Sequence, residues 1–321
     1  MLARAPASSA NLGPGFDALA VALDRYIEVE VEPARRLTVR SEGEGAGIAD
    51  DAGHLAARVA IDVAGHDRLA ITVRSEIPVA RGLGSSAALA AAAAAAAGAE
   101  DPLAVAARID GHPENAAASV SGGLVVAAMV RGSVRSVRLP LDPTLVFVLI
   151  VPDRPLATAK ARQALPARVS REDASFNLGR MGLLLAGLSD HRLLGREATE
   201  DRLHQDYRSP LFPEAPKLLA ALLEGGALAS CWSGAGPSLL GICAEARGPS
   251  VQRSAQEALS AAGIPGRALL LHADRRGLVV GDGEWPPGPA GAATVPPPGG
   301  TAGNGGDRPG TPGAPPVDRM G

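Results

Sequence analysis

The sequence contains very little lysine. Lys160 and Lys217 are the only two lysines among 31 basic residues, so arginine carries nearly all of the positive charge. This scarcity removes most candidates for a catalytic lysine, and the amino-terminal half has none. A phosphate-binding loop of the G-x-x-x-x-G-K-[ST] type needs a lysine directly after its second glycine, and no such motif occurs.

Cysteine is also scarce, the net charge is small, and no apolar run is long enough to span a membrane. Cys231 and Cys243 are too few for a disulfide framework, which favours a reduced, cytoplasmic setting. The net charge of −3 gives no reason to expect nucleic acid or an anionic membrane as a partner. The first residues lack the apolar core of a signal peptide, and the alanine-rich run at 87–97 is too short and too weakly apolar to span a bilayer.

The last 37 residues, 285–321, lack any apolar periodicity. They contain ten prolines and ten glycines, and such a segment cannot bury enough surface to offset the entropy of ordering it. We therefore expect a disordered Pro/Gly-rich tail, with a partner-binding segment as the alternative.

The rest of the chain predicts two α+β halves that divide near residue 142. The second half opens on 146–151, a continuous apolar run ended by Pro152, which is typical of a buried strand. In the first half, alternation and capping signals predict strands at 25–31, 36–41, 69–75 and 124–128 and helices at 54–65, 86–98 and 101–109. In the second half they predict helices at 176–188, 192–203, 214–225 and 249–262 and strands at 227–233, 239–243, 267–272 and 277–281.

Residues 78–88 form a glycine-serine loop that opens directly into an alanine-rich helix. The first N–H groups of a helix have no internal partner and carry partial positive charge, so a phosphate can bind there without a lysine. Gly82 and Gly84 allow the backbone to approach an anion closely, and Ser85 and Ser86 offer hydroxyls. The alternative is a Gly-Ser turn that merely caps a structural helix.

Two further segments concentrate polar groups. Residues 6–17 combine small residues with turn formers and predict a tight loop, in which Asn11 and Asp17 alone have both reach and polar specificity. Residues 110–115 hold two carboxylates, an imidazole and an amide, which suits Mg²⁺ bound through oxygen. The alternatives are a turn and a helix cap in the first segment, and a His-Pro turn with an asparagine cap in the second.

The glycine-rich turn at 232–238 lies between two predicted strands. Its N–H groups can line a binding site, although an ordinary tight turn explains the same residues.

Together, residues 6–17, 78–88 and 110–115 resemble the three motifs of the GHMP small-molecule kinases, in the same order. Residues 158–166 and 204–208 resemble the carboxy-terminal substrate segments of the branch that acts on L-homoserine, and the resemblance covers about residues 3–281. It implies an α+β, two-domain GHMP kinase fold with an amino-terminal domain like ribosomal protein S5 domain 2 (1–142) and a carboxy-terminal ferredoxin-like domain (143–284). ATP and substrate would lie in the cleft between them.

The resemblance also implies a reaction: ATP and L-homoserine give ADP and O-phospho-L-homoserine, a step in threonine biosynthesis that uses Mg²⁺. The implied metal ligands are Ser86 and Asp110, and the implied catalytic residues are Asp17 and Arg162. The residues implied to surround the amino acid are Asn11, Asp17, His112, Asn115, Thr158, Arg162 and Arg208. Those implied to wrap the ATP phosphates are Pro78, Val79, Ala80, Arg81, Gly82, Leu83, Gly84, Ser85, Ser86, Ala87 and Ala88.

Phosphoryl transfer needs mainly in-line positioning and charge neutralisation, so a strong base is not obligatory. Some relatives use an Asp–Lys pair, and the lack of lysine in the amino-terminal half argues against it here. We expect the substrate hydroxyl to be positioned beside the γ-phosphate, with Asp17 as a weak proton acceptor.

The sequence departs from the family pattern at two carboxylates. Asp110 is one methylene shorter than the family's glutamate, and Glu114 replaces the usual aspartate before Asn115. The chain begins close to its first motif, which predicts a short first strand. Another GHMP kinase with a different small alcohol, or a GHMP-fold binding protein that has lost catalysis, remain alternatives, and a homodimer is an open expectation.

Overall fold

The computed structural model describes residues 1–283, so the predicted tail at 285–321 lies outside the described residues. The strands of the described part are, in chain order, β1 Leu2–Asn11, β2 Gly15–Pro33, β3 Thr38–Gly43, β4 Leu69–Ser75, β5 Leu124–Val130, β6 Ser133–Leu139, β7 Leu145–Pro152, β8 Ala229–Trp232, β9 Leu239–Ala244, β10 Gly266–His272 and β11 Val279–Gly281. Its helices are α1 Leu55–Ala64, α2 Ser85–Ala96, α3 Pro102–Asp110, α4 Pro113–Ser121, α5 Thr158–Gln163, α6 Arg171–Ser189, α7 Gln205–Arg208, α8 Ala215–Glu224 and α9 Gly248–Ala261. None of these helices is long and apolar enough to cross a bilayer.

The first sheet is organised around β2, a 19-residue strand. The strand order is β11-β1-β2-β4-β3, and β5 and then β6 extend the sheet from another part of β2. Neighbouring strands are antiparallel except for β3 and β4, which run parallel. Helices α2 and α4 pack against β1 and β2, which places the glycine-serine loop at one end of these strands.

The expectation of a tight loop at 6–17 and a short first strand is wrong. β1 is ten residues long and pairs with β2 throughout, with register shifts after Pro6 and after Ala10. Only residues 12–14 form a turn. The small side chains that suggested a loop are needed for packing, because Ala7 and Ala10 are fully buried and α2 and α4 lie against this strand.

The predicted helix at 86–98 is confirmed as α2. Its alanines from Ala90 to Ala96 are all buried, and it contacts α1, α3 and α4 as well as β1 and β2. A helix that is apolar on all sides belongs in a core, and methyl side chains allow its neighbours to approach closely from every direction. The beginning of this central helix is therefore held rigidly.

The second sheet has the order β10-β7-β9-β8, and all its strands are antiparallel. The predicted buried strand is confirmed, because every residue of β7 is buried. Val148 and Ile150 pack with α8 and α9, whereas Phe147 and Leu149 join the core that also lies under the first sheet. A strand covered on both faces explains the continuous apolar run. The strand order, with α9 crossing between β9 and β10, is that of a ferredoxin-like domain, and the expected α+β fold is confirmed.

The predicted helix at 192–203 is wrong. This segment forms two short 3-10 turns, at His191–Leu193 and Arg196–Thr199, and the helix α7 begins only at Gln205. The Asp190 carboxylate accepts the backbone N–H of Arg192, and Asn177 Oδ1 of α6 accepts that of Arg202, so these side chains offer the backbone an alternative to helical hydrogen bonds. The Asp201 carboxylate accepts the backbone N–H groups of Leu203, His204 and Gln205 where α7 begins.

The domain limits at 1–142 and 143–284 stay predictions. β6 ends at Leu139 and β7 begins at Leu145, while β11 near the end of the described chain returns to pair with β1 in the first sheet.

Candidate active site

A cavity of about 260 Å³ opens where segments from both halves of the chain meet. Nearly all the residues predicted for the site line it, whereas Pro78, Ala87 and Ala88 do not. The lining residues are Ala10, Asn11, Asp17, Val79, Ala80, Arg81, Gly82, Leu83, Gly84, Ser85, Ser86, Asp110, His112, Glu114, Asn115, Thr158, Arg162, Arg208, Gly234 and Ala235. Segments that are far apart in the chain thus meet around one space, which is the first requirement for a shared site.

The glycines of the loop are required by geometry. Gly84 is the residue before the first turn of α2, with φ of 66°, and Gly82 has φ of 76°. A β-carbon at Gly84 would lie 2.1 Å from the Ser8 hydroxyl oxygen, and one at Gly82 would lie 2.2 Å from the Ser233 carbonyl oxygen. Both the left-handed backbone and the close approach therefore exclude a side chain at these two positions.

The beginning of α2 faces the cavity without a side-chain cap. Gly84, which has no side chain, occupies the N-cap position, and the phosphate-binding role of the loop stays a prediction. The first N–H groups of the helix keep their partial positive charge and point towards the cavity, as an anion-binding site requires.

Arg81 fixes the loop to the second sheet. Its Nε donates to the Pro152 carbonyl oxygen at 2.8 Å, Nη1 donates to the Val79 carbonyl oxygen at 2.9 Å, and Nη2 donates to the carbonyl oxygen of Asp153. The guanidinium group is thus used to hold the loop against the end of β7.

Ser86 and Asp110 form the predicted metal-ligating pair. Asp110 is the last residue of α3, Ser86 lies in the first turn of α2, and both line the cavity. Burial raises the pKa of Asp110, while His112, the Ser86 hydroxyl and Arg162 act in the opposite direction. A hydroxyl and a carboxylate side by side at the cavity wall are the hard oxygen donors that Mg²⁺ prefers.

Asn11 and Asp17 lie at the turn between β1 and β2. Asn11 has φ of 70° and Asp17 has φ of 54°, a conformation that asparagine and aspartate tolerate better than other side chains. The Asn11 Oδ1 accepts the Asp17 N–H at 3.0 Å, and Asn11 Nδ2 donates to the Gly234 carbonyl oxygen at 2.9 Å. These bonds direct the Asp17 side chain into the cavity.

Asp17 forms an ion pair with Arg162 across the cavity. The distance from Arg162 Nη2 to Asp17 Oδ1 is 2.5 Å, and about a third of each side chain is exposed. Arg162 lies on α5, from the second half of the chain, so this pair joins the two sides of the site. Its Nε is buried and has no partner among the described residues.

Arg208 is a buried cation in the same wall. Its Nη1 donates to the Gly234 carbonyl oxygen at 2.9 Å and to His204 Nδ1 at 3.0 Å. His204 Nε2–H in turn donates to the Gly13 carbonyl oxygen at 2.8 Å, which assigns the neutral tautomer. Burial lowers the pKa of His204 to about 4 and that of Arg208 to about 10, so Arg208 alone carries charge at neutral pH.

The Arg208 Nε is also buried and without a partner in residues 1–283. Two guanidinium groups with unused donors in one cavity match the geometry of a carboxylate or a phosphate.

Glu114 is a cavity residue that the sequence marked as one of two carboxylates at 110–115 and as a departure from the family pattern, without a role of its own. It is 3% exposed, lines the cavity from the first turn of α4, and its Oε2 has no partner among the described residues. Burial raises the pKa of Glu114 to about 7, and the nearby carboxylates of Asp17 and Asp110 act in the same direction. A buried carboxyl group with a free oxygen is costly unless a ligand uses it.

The remaining predicted residues surround these groups. Asn115 Oδ1 accepts a hydrogen bond from the Ser8 hydroxyl at 2.9 Å, and His112 precedes α4 without capping it. Thr158 is the first residue of α5. The turn at 232–238 ties the walls together, because the Ser233 hydroxyl donates to the Gly82 carbonyl oxygen at 2.7 Å.

Comparison with known families matches two parts of the chain. Residues 52–132 match the GHMP kinases N terminal domain, and residues 183–263 match the GHMP kinases C terminal domain. The first match contains the glycine-serine loop, Asp110 and Glu114, and the second contains Arg208 and the glycine-rich turn.

Individual relatives cover almost the whole described chain. A homoserine kinase of Moorella thermoacetica is 37% identical over 295 residues, which is 87% of this chain and 99% of the relative. A homoserine kinase of Thermus thermophilus is 42% identical over 279 residues, covering 83% of this chain and 94% of the relative. The crystal structure of homoserine kinase from Cytophaga hutchinsonii superposes with a TM-score of 0.77 at 25% identity, covering 87% of this chain and 96% of that one.

Proposed function

The chain belongs to the GHMP kinase family, and we propose that it transfers the γ-phosphoryl group of ATP to the hydroxyl of L-homoserine, a step in threonine biosynthesis. Relatives named homoserine kinase match at up to 42% identity over most of the chain. One observation carries the proposal: the uncapped start of α2 lines the same cavity as Arg162, Arg208 and Asp17.

The nucleotide phosphates would bind at the α2 side. The loop at 78–84 and the first N–H groups of α2 supply a concave surface of backbone donors, and Gly82 and Gly84 leave it free of side chains. The loop residues would therefore contribute backbone N–H groups to the phosphates, and the two glycines would leave space for them.

Ser86 and Asp110 would hold Mg²⁺. Both offer oxygen atoms at the cavity wall, and a bound cation would offset the cost of burying the Asp110 carboxylate. When bound, the cation neutralises charge on the phosphate oxygens.

The amino acid would bind at the opposite wall. Arg162 and Arg208 present unused guanidinium donors to its carboxylate or to the moving phosphoryl group, while Asp17 and Glu114 present carboxyl oxygens to its ammonium group or hydroxyl. Asn11, His112, Asn115 and Thr158 complete this surface.

Catalysis would rest on positioning and charge stabilisation. No lysine lines the cavity in residues 1–283, which argues against an Asp–Lys pair. The Asp17 carboxylate, held by Arg162, would orient the hydroxyl and act as the expected proton acceptor. This is sufficient for phosphoryl transfer, which needs alignment and electrostatic stabilisation more than a strong base.

A cytoplasmic location is part of the proposal, supported by Cys231 and Cys243, which are buried free thiols. We also propose that the chain forms a homodimer.

An ADP-release assay tests the function. Purified full-length protein with ATP and Mg²⁺ is expected to release ADP with L-homoserine and not with L-serine or R-mevalonate. Turnover of mevalonate alone would identify another GHMP kinase. No turnover with any alcohol at millimolar substrate, from a protein that still binds ADP, would identify a binding protein instead.

A further inference from the structure

Phe16 lies beside the cavity and contacts both of the arginines of its charged wall. The Arg162 Cζ lies over the Phe16 ring, 5.6 Å from the ring centroid, and the Arg208 Cζ lies over it at 5.5 Å. Both distances are within the range of about 6 Å over which the face of an aromatic ring attracts a cation. Phe16 itself is not among the residues that line the cavity. Any influence of this ring on a bound ligand therefore passes through its neighbours.

The fold packs the Phe16 ring between a tight turn and a buried imidazole. Phe16 follows Gly15 at the beginning of β2, and a β-carbon at Gly15 would lie 2.7 Å from the Asn11 carbonyl oxygen, so the turn excludes a side chain at that position. The Phe16 ring stacks on the ring of His204, with centroids 5.1 Å apart and planes inclined by 25°. His204 is fully buried and donates to the Gly13 carbonyl oxygen of the same turn. The position of the phenyl ring is thus set by groups that are themselves held in place.

The two guanidinium groups make few polar contacts with the protein. Arg162 is held through Nη2, which donates to Asp17. Arg208 is held through Nη1, which donates to His204 and to the Gly234 carbonyl oxygen. The Nε of each arginine is buried and has no hydrogen-bond partner among the described residues. A hydrogen bond at one nitrogen fixes that atom, whereas the orientation of the whole planar group also depends on what packs against it, and a phenyl ring packs against both.

The proximity of the two arginines has an electrostatic cost. Burial lowers the pKa of Arg208, and the positive charge of Arg162 acts in the same direction, because the two like charges repel each other. Asp17 and Asp201 act in the opposite direction, but the Asp17 carboxylate is already bound to Arg162. The negative face of a phenyl ring attracts both cations and carries no net charge. The Phe16 ring therefore offsets part of the repulsion and leaves the positive charge available to an anion.

We propose that Phe16 is a positioning residue, whose ring holds the guanidinium groups of Arg162 and Arg208 in place for the anionic group of L-homoserine or its phosphorylated form. The inference rests on the proposed function, which supplies that anion. Weakening the attraction of the ring should raise the KM for L-homoserine by about tenfold, because one cation–π contact changes a binding constant by roughly twofold to 30-fold. The KM for ATP should stay constant, since the phosphates are assigned to the backbone donors at the start of α2.

The test replaces Phe16 in the full-length protein by phenylalanine carrying one, two or three ring fluorines. Fluorine withdraws electron density from the face of the ring and weakens its attraction for a cation, while the size of the ring changes little. The logarithm of the KM for L-homoserine should rise with the number of fluorines, and the KM for ATP should stay the same. A ring that merely fills space would give the same KM for L-homoserine throughout the series.

Phe176 provides the matched control, because it is another half-buried phenylalanine with two arginines over its ring. The Arg180 Cζ lies 4.5 Å from the Phe176 ring centroid and the Arg202 Cζ lies 4.1 Å from it. Neither of these arginines lines the cavity. The same fluorinated series at Phe176 should therefore leave the KM for both substrates unchanged.

A second measurement separates this inference from the proposed function. The Nε–H protons of Arg162 and Arg208, assigned by nuclear magnetic resonance with Arg162→Lys and Arg208→Lys, should exchange with solvent faster as fluorines are added at Phe16, and not as they are added at Phe176. Absence of L-homoserine turnover in the unmodified protein would refute the proposed function, and the exchange rates would still decide whether the ring holds the arginines. Exchange rates and a KM for L-homoserine that respond no more at Phe16 than at Phe176 would overturn the inference in an active kinase.

Discussion

The two walls of the cavity bind charge by different means. The wall from the first sheet offers backbone N–H groups at the start of α2, and its one arginine, Arg81, is turned towards carbonyl groups of the protein. The wall from the second half offers guanidinium side chains, Arg162 and Arg208, with donors that the protein leaves unused. The comparison shows that the first wall depends on the absence of side chains, whereas the second depends on their charge.

The largest effect should come from the charged wall. Arg162→Ala is expected to lower kcat/KM for L-homoserine by about 10²–10³-fold, because it removes a charged donor that acts in the transition state and leaves Asp17 unpaired. Steady-state kinetics with both substrates measure this. Arg108→Ala is the control, since Arg108 forms an exposed ion pair with Asp62 outside the cavity. Equal kinetics in the two variants would remove Arg162 from the mechanism.

The second prediction concerns the protonation of Glu114, a buried carboxyl group between the two walls, and its effect on stability. A free glutamate titrates near 4.5, whereas burial raises the pKa of Glu114 to about 7. The folded protein therefore holds an extra proton between these values, and the stability from this group is complete below about pH 4.5 and lost as the pH rises through 7. The groups facing it are Asp17, Asp110 and Arg162.

Glu114→Gln should remove this pH dependence. Relative to the variant, the unmodified protein should lose up to about 3 kcal/mol of unfolding free energy between pH 5 and pH 8. Denaturant unfolding at several pH values measures this, with the exposed Glu100→Gln as the control. Parallel stability curves for Glu114→Gln and the unmodified protein would show that Glu114 is not held in this state.

The backbone wall should respond to a single methyl group. Gly84→Ala forces an L side chain into a left-handed conformation and against the Ser8 hydroxyl, which displaces the start of α2. The KM for ATP is expected to rise about tenfold, which corresponds to about 1.4 kcal/mol.

Gly65→Ala provides the matched control for the backbone wall. Gly65 has a similar φ of 73° after α1, and a β-carbon there meets nothing within 4 Å. It should lose stability without any change in the KM for ATP. If both variants raise that KM alike, the effect is general destabilisation and the loop has no special role.

The smallest effect is expected at the proposed cation pair. Asp110→Asn keeps the shape of the side chain and removes its charge, so the Mg²⁺ concentration for half-maximal activity should rise several-fold. A magnesium titration at fixed ATP measures this, with the exposed Asp67→Asn as the control. An unchanged magnesium requirement would place the cation elsewhere.

The sequence correctly predicted elements whose conformation depends mainly on residues adjacent in the chain. The loop at 78–88 was found because glycine, serine and the following alanines describe a helix start, and β7 because an apolar run ended by Pro152 describes a buried strand. The segment at 192–203 was not predictable, because Asn177 of α6, far away in the chain, accepts the backbone N–H of Arg202, and the Asp190 carboxylate accepts that of Arg192. The strand character of residues 6–11 depends on α2 lying against them, which no nearby residue reveals.

The candidate site was predictable as a list of residues, on the strength of family resemblance, but not as a set of contacts. The Arg162–Asp17 pair joins residues 145 positions apart. The burial of Glu114 and its unpartnered oxygen arise from the packing of α4, and only the structure identifies them as features of the cavity.

Calorimetric titration tests the division of the cavity most directly. ADP with Mg²⁺, and separately L-homoserine, would be titrated into the unmodified protein, Arg162→Ala and Gly84→Ala. We predict that Arg162→Ala loses L-homoserine binding and keeps ADP binding, and that Gly84→Ala does the reverse. Equal loss of both ligands in either variant, with the fold intact, would contradict the assignment of one substrate to each wall.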